Sequence, residues 1–217
     1  MAEVIQARNL ALYEVKEKFN LHSSNDPQFF NEWMNLSPQL SEHEQYWLDK
    51  TKNDFLSLIE YPLHEEIIKI SVLAPLLSLS NLCRFPFIPA AEKQVELAFE
   101  MDEQIVRGRI DLLILHQNLW ASTIETKPSQ SSIIKALPQV LFYMMAGPDS
   151  SQPFFGLVTN GHNFMFIKLL KQEQPIYALS ELFTLFRQDN ELYQVVTILK
   201  HFRDLVLKQA WHAQHAS

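Results

Sequence analysis

Two carboxylates and a lysine stand close together in a stretch that otherwise reads as buried β-structure. They are Asp111, in Arg107-Gly-Arg-Ile-Asp111-Leu-Leu-Ile-Leu, and Glu125 and Lys127, in Trp120-Ala-Ser-Thr-Ile-Glu125-Thr-Lys127. Side chains on a strand alternate between faces, so Glu125 and Lys127 share one face and Thr126 takes the other. A three-residue loop centred on Asn118 would place Asp111 directly across from Glu125 on that same face. Two facing carboxylates repel unless a cation lies between them. A hard divalent ion such as Mg2+, with Mn2+ as a substitute, prefers oxygen ligands and keeps several waters. Asp111, Glu125 and the Thr126 carbonyl beside them would suffice as its protein ligands. Such an ion polarises a phosphoryl oxygen and acidifies a bound water, and Lys127 is placed to position that water or to stabilise charge on the phosphorus. This is the chemistry of phosphodiester hydrolysis. The same three residues also make an ordinary surface salt bridge, and spacing does not separate the two readings. Glu14-Val-Lys16 fits the same short pattern in a helical setting, so strand context carries the argument.

The elements that must position these groups follow from hydrophobic period and punctuation. Glu3 to Phe19 reads as a moderately amphipathic helix. A short helix after Pro27 carries Phe29, Phe30, Trp33 and Met34. Ser41-x-x-Glu44 is a capping box opening a helix with Leu48, Phe55, Leu58 and Ile59 near one face, stopped at Tyr61-Pro62. The next helix starts around Leu63 and is kinked or broken by Pro75. Alternation from Gln94 to Phe99, then Ile105 to Leu115 and Leu119 to Lys127, gives three strands. Ser131-Ser132 caps a helix from Ile133 to about Met145. Phe154–Thr159 and Asn163–Leu170 flank Asn160-Gly161, a hairpin dipeptide. Ser180 to Lys208 returns to helical spacing. This order predicts an α/β fold, a central mixed sheet of about five strands flanked by helices.

Composition excludes several classes. Four glycines and no G-x-G-x-x-G or P-loop pattern exclude a Gly-rich phosphate loop. One cysteine, Cys83, excludes a disulfide scaffold and reads as a buried thiol. Ile67 to Leu82 is too interrupted for a membrane span, and the charged N-terminus does not read as a signal peptide, so a cytoplasmic protein with no membrane partner is expected. The net charge of −7 sits in the first third: residues 1–66 hold 12 acidic and 5 basic side chains, and residues 67–217 hold 13 of each. Strong non-specific binding to nucleic acid is therefore not expected, whereas a local basic surface is compatible with the balanced remainder.

The motifs then line up in a familiar order. Gly108-x-x-Asp111, Ile124-Glu125-x-Lys127, Gln139-x-x-x-Tyr143 and Thr159-Asn160-Gly161 together resemble the PD-(D/E)xK nuclease superfamily. Within it they resemble the nuclease region of type I restriction enzyme motor subunits. Residues 63–170 are covered, and the flanks are similar to small stand-alone relatives of a cyanobacterial, restriction-endonuclease-like type. The resemblance implies a restriction-endonuclease-like core over residues 63–217 with an acidic helical extension, residues 1–62, packed on it. It implies a Mg2+-dependent endonuclease acting on nucleic acid, DNA above RNA. It further implies an acidic residue on the helix before the sheet. Glu65, ten residues before Pro75 in Ala-Pro75-Leu-Leu, takes that place as a metal or water ligand, with Glu66 beside it as the alternative. A first-turn glutamate favoured by the helix dipole is the plain reading. Gln139 maps onto the family's helix glutamine, which organises the site or the substrate; a solvent-facing side chain is the alternative. Pro138 inside that helix is a departure. So is the lack of a helicase or methyltransferase segment, so processive type I restriction is not expected of this chain alone. A homodimer and separate restriction-system subunits stay open as partners.

Arg107 and Arg109 share a strand parity with Asp111 and are candidate phosphate-binding residues, with pairing to Glu96 or Glu100 as the alternative. Tyr46, Trp47, Phe29, Phe30 and Trp33 are expected in the core, and His116 and His162 at turns. A nuclease-fold protein that binds DNA or a protein partner without cutting is the rival to an active enzyme.

Overall fold

The computed structural model describes residues 3–31, 36–99, 104–116, 119–148 and 152–215, without the side chains of residues 119–122 and 209–215. Among them the chain forms β1 (Glu3–Gln6), α1 (Leu12–Phe19), β2 (His22–Ser23), α2 (Glu42–Ser57) and α3 (Glu65–Ile68). A π-helical turn, Lys69–Leu73, leads into α4 (Ala74–Leu79). Then come β3 (Phe87–Phe99), β4 (Gln104–His116), β5 (Leu119–Thr126), α5 (Leu137–Ala146), β6 (Phe154–Thr159), β7 (Asn163–Leu170), β8 (Ile176–Leu179), β9 (Phe183–Thr184) and α6 (Leu192–His215). The fold is α/β, with a mixed sheet flanked by helices.

Among the described residues the sheet has nine strands, not about five. The order is β1-β4-β5-β6-β7-β8-β2, with β3 along the other edge of β4 and β9 on β7. All four additional strands are too short to show a period: β1 and β8 have four residues, and β2 and β9 have two. The N-terminal extension is accordingly not purely helical. Glu3–Gln6 pairs in parallel with Gln104–Arg107, on the same edge of β4 that β5 occupies further along, and His22–Ser23 closes the far edge beside β8. Residues 180–191 likewise form β9 and turns, and helical spacing begins only at Leu192. Trp33 and Met34 lie outside the described residues.

The two faces of the sheet carry different helices. Phe155, Leu157, Phe164 and Phe166 pack with Leu48 and Phe55 of α2, Leu76 of α4 and Leu199 and Phe202 of α6. Phe154, Val158, Met165 and Ile167 pack with Val140, Leu141 and Phe142 of α5 and with Val15 of α1. Every residue of β6 is buried, as expected of a strand covered on both sides. Tyr46, Trp47 and Leu58 belong to neither layer; they are exposed.

Local signals explain the element ends. Ser41 accepts from the Glu44 amide and Glu44 returns a bond to the Ser41 amide, the expected capping box. Pro138 sits at the first turn of α5, where its missing N–H costs no bond, and residues Ile133–Ala136 form a 3₁₀ turn before it. Pro75 is likewise at the start of α4. Its lack of a donor breaks the regular ladder, and the Ala74 amide reaches back five residues to the Lys69 carbonyl. Gly161 adopts φ +92°, and a β-carbon there would lie 2.5 Å from the ring of Phe55, so both backbone and space require glycine.

Candidate functional site

Hairpin register brings the acids together by a route other than a three-residue loop. His116 pairs with Leu119, leaving a two-residue connection whose residues, 117 and 118, lie outside the described set. A bulge then places Ala121 as an extra residue on β5, so that Leu112 pairs with Ile124. One step further lie Asp111 and Glu125, in the expected opposition.

They do not, however, share one face. Val106 and Ile110 pack in the α5 layer, and so does Leu113, an odd step along β4. The alternation therefore slips once across Asp111. Its partner position on β3, Glu92, has φ +56° and makes no ladder pair, although Ala91 pairs with Leu112 and Lys93 with Ile110. A glutamate in the left-handed region is uncommon and marks a locally forced backbone. Asp111 makes its bonds on the side of α3. Its Oδ1 lies 3.1 Å from Nζ of Lys69, and its Oδ2 accepts from the Thr126 amide at 2.8 Å and the Thr126 hydroxyl at 2.7 Å.

Glu125 bonds on the side of α5. Nζ of Lys127 donates to Glu125 Oε1 at 3.1 Å and to Gln139 Oε1 at 3.2 Å, and Gln139 Nε2 donates to the Tyr143 hydroxyl at 2.9 Å. Gln139 is thus buried and in the network, not solvent-facing. The spacing Gln139-x-x-x-Tyr143 is one helical turn, which stacks the two side chains. Lys127 is fixed from its backbone as well: its amide donates to the Thr159 carbonyl at 2.8 Å. Asn160 then ties the segment after β5, donating to the Ser131 carbonyl at 2.8 Å. Thr159-Asn160-Gly161 therefore anchors the strand end that carries Lys127.

Glu125 is 2% exposed, and its Oε2 is buried with no hydrogen-bond partner among the described residues. Burial, then the neighbouring Asp111, push its carboxyl up to about 8 against the pull of Lys127. Glu65 joins the group: burial, then Asp111, raise its pKa too, while Lys127 and Lys69 pull it down. Asp111, Glu125 and Glu65 are therefore close enough to feel one another's charge. Among the described residues no three His, Cys, Asp or Glu side chains close around one point that could hold a metal ion. The Glu66 side chain has no hydrogen bond or ion pair among the described residues, but it lies beside Lys69 and Asp111 in an adjoining groove.

Lys69 is the group that sequence reasoning missed. Besides Asp111 it lies 3.6 Å from Glu92 Oε1. Burial opposes its charge, but Asp111, Glu92 and Glu65 together hold its pKa above the usual lysine value. The available signal was its place four residues after Glu65, one helical turn along the same face. Arg107 and Arg109 take the alternative weighed for them in part: Arg107 pairs with Glu96 at 2.6 Å and Arg109 with Glu92 at 3.1 Å, while Glu100 lies outside the described residues. Cys83 is exposed, not buried. His116 is buried against Phe87 at the end of β4, and His162 follows Gly161 in the β6–β7 turn.

No protein-family model matches the chain, and no curated protein is similar to it. No described helix is long and apolar enough to cross a membrane.

Proposed function

We propose that the chain is a divalent-metal-dependent nuclease of the PD-(D/E)xK type, hydrolysing phosphodiester bonds in DNA, with the mixed sheet as a restriction-endonuclease-like core. One observation carries the reading. Glu125 is a buried carboxylate with one oxygen unpartnered, set beside Asp111 and Glu65, and an arrangement of this kind gains most from a bound cation. Asp111, Glu125 and the Thr126 carbonyl would hold Mg2+ or Mn2+, with Glu65 reached directly or through water. When bound, the ion would polarise a phosphoryl oxygen and lower the pKa of water.

The remaining roles belong to the chain's own side chains. Lys127, held by Glu125 and Gln139, presents its remaining proton to the oxygen of the attacking water and orients it toward phosphorus. Gln139 keeps that ammonium in place, and Tyr143 fixes Gln139. Lys69, released from Asp111, stabilises the negative charge that builds on the non-bridging phosphate oxygens. The water oxygen bonds to phosphorus as the bond to one sugar oxygen breaks. Water loses one proton and the leaving oxygen gains one, which gives a phosphomonoester and an alcohol.

A second reading, the same architecture binding DNA or a protein without cutting, is supported by a different observation: both oxygens of Asp111 are already engaged, by Lys69 and by Thr126. Incubation of circular and single-stranded DNA with Mg2+ or Mn2+, comparing wild type with Asp111→Ala and Lys127→Ala, decides between them. Cleavage by wild type alone is the expected result. Equal activity in all three proteins would reject hydrolysis at this site.

A further inference from the structure

Glu92 departs from the regular geometry of the sheet, and its side chain lies between two cations. The residue has φ +56° and makes no ladder pair, while Ala91 and Lys93 on either side of it pair with Leu112 and Ile110. A glycine takes this backbone freely, whereas a glutamate takes it only under strain, and residues held in this way cluster at functional sites. The irregularity re-aims the carboxylate. Its Oε1 lies 3.6 Å from Nζ of Lys69, and its Oε2 lies 3.1 Å from Nη1 of Arg109. One carboxylate thus meets a cation from the helix and a cation from β4, one on each oxygen. Lys69 in turn stands between two acids, since Asp111 Oδ1 is 3.1 Å from the same Nζ. Of the Arg109 guanidinium, Nη1 alone is engaged among the described residues. Arg109 also lines an open polar cleft of about 400 Å³, with Arg107, Gln6 and Gln94.

We propose that Glu92 is a positioning residue for the hydrolysis: it keeps Lys69 and Arg109 together as the cations that face the phosphate to be cut, and it holds Lys69 once Asp111 turns to a divalent ion. The inference rests on the hydrolase reading, from which it takes the places of the ion and the phosphate. Asp111 cannot serve an ammonium and a divalent ion equally, because both are drawn to the same carboxylate. Lys69 therefore needs a second acid within reach, or it stays at Asp111 and opposes the ion. Glu92 is that acid, already beside it. Glu66 lines the groove next to Lys69 as well, but makes no ion pair with it among the described residues. Arg109 serves the same end. Its pairing through one nitrogen leaves the rest of a planar fork for phosphate oxygens, which that geometry suits. Two cations fixed by one carboxylate need no rearrangement as charge builds on the phosphate, which is the requirement for preorganised stabilisation.

Calorimetry with Mn2+ alone tests the handover of Lys69 without any cleavage. Glu92→Gln is expected to weaken Mn2+ binding about two- to fivefold, the scale of a partly exposed ion pair, because Lys69 is then left to Asp111. In a Lys69→Met background the same change is expected to have no effect, since no ammonium remains to be held. Glu92→Gly, which accepts the positive φ, is expected to behave as Glu92→Gln does, and thermal melting confirms that each variant folds. An equal loss in both backgrounds would make Glu92 a source of field only. Unchanged or tighter Mn2+ binding in the folded single variants would show that it does not hold Lys69. Either result would overturn the proposal. With saturating DNA and Mn2+, cleavage by Glu92→Gln is expected to be slower by about 10- to 100-fold, the scale of a displaced catalytic group. A loss of Mn2+ affinity that depends on Lys69, in a wild type that does not cut DNA, would keep the handover and remove the hydrolase. Cleavage by wild type that Glu92→Gln leaves intact would do the reverse.

Discussion

The Tyr143 hydroxyl is bonded twice to the backbone of Arg109, accepting from its amide at 2.9 Å and donating to its carbonyl at 2.9 Å. Gly108 makes this approach feasible, because a β-carbon there would stand 2.5 Å from the Tyr143 ring and 2.8 Å from Ala7. Tyr143 is itself buried, with its phenol held well above the usual value by burial and then by Glu125. Gly108→Ala is therefore expected to destabilise the fold by about 1–3 kcal/mol, the usual cost of overpacking. Urea denaturation measures it. A variant as stable as wild type would show that the strand and α5 can part without loss.

Replacing Lys69 with methionine keeps much of the side-chain length and removes the charge from Asp111. A divalent ion then no longer competes with an ammonium, and Mn2+ is expected to bind a few-fold more tightly by calorimetry, in keeping with about 0.5–1 kcal/mol for a partly exposed ion pair. Cleavage is expected to slow in the same variant. Weaker Mn2+ binding would mean that Lys69 organises the acids instead of competing at them.

Glu125 gives a pH signature. Its folded pKa of about 8 lies above the ordinary 4.5, so the folded state holds a proton that the unfolded chain has lost. Below about 4.5 there is no difference between the states. From there to about 8 this one group removes up to about 1.4 kcal/mol of stability per pH unit, and above it the loss is complete. Glu125→Gln lacks the effect, so its stability relative to wild type should rise from pH 5 to about 8 and then level off. Parallel stability curves would mean that Glu125 ionises normally in the folded protein.

Lys127 acts as a compact, directional donor wedged between Glu125 and Gln139. Lys127→Met is expected to slow cleavage by about 10²–10³, the usual range for loss of one preorganised donor at the reacting atoms. Lys127→Arg should restore little, since a planar fork does not fit a site shaped for one ammonium. Full rescue by arginine would assign the residue to charge alone.

Much of this arrangement was legible in the residues, and the exceptions have physical causes. The β6–β7 hairpin forms at its expected bounds because Asn160-Gly161 and unbroken apolar runs agree with each other. The opposition of Asp111 and Glu125 was inferred through a loop one residue too long, and the bulge at Ala121 cancels the error; neither is visible in a hydrophobic pattern. The slip at Asp111 was not legible, since nothing in Ile110-Asp111-Leu112 announces a left-handed glutamate on the neighbouring strand. Glu3–Gln6 reads as helix because its pairing with Gln104–Arg107 is a contact between distant segments. Lys69 went unnoticed because its spacing of one helical turn from Glu65 gains meaning only once the helix is seen to cross the sheet beside Asp111.

The wide turn at Lys69–Leu73 has a structural consequence of its own. An α-helix advances about 100° per residue, so one extra residue in a turn rotates everything before it by that amount relative to everything after. Leu76 faces the interior beyond this offset, and Glu65, before it, and Lys69, at its first residue, face the acids. Deleting Ser71 would restore ordinary winding while swinging both charged groups away from the strand, which separates the demands of stability from those of chemistry within a single short helix.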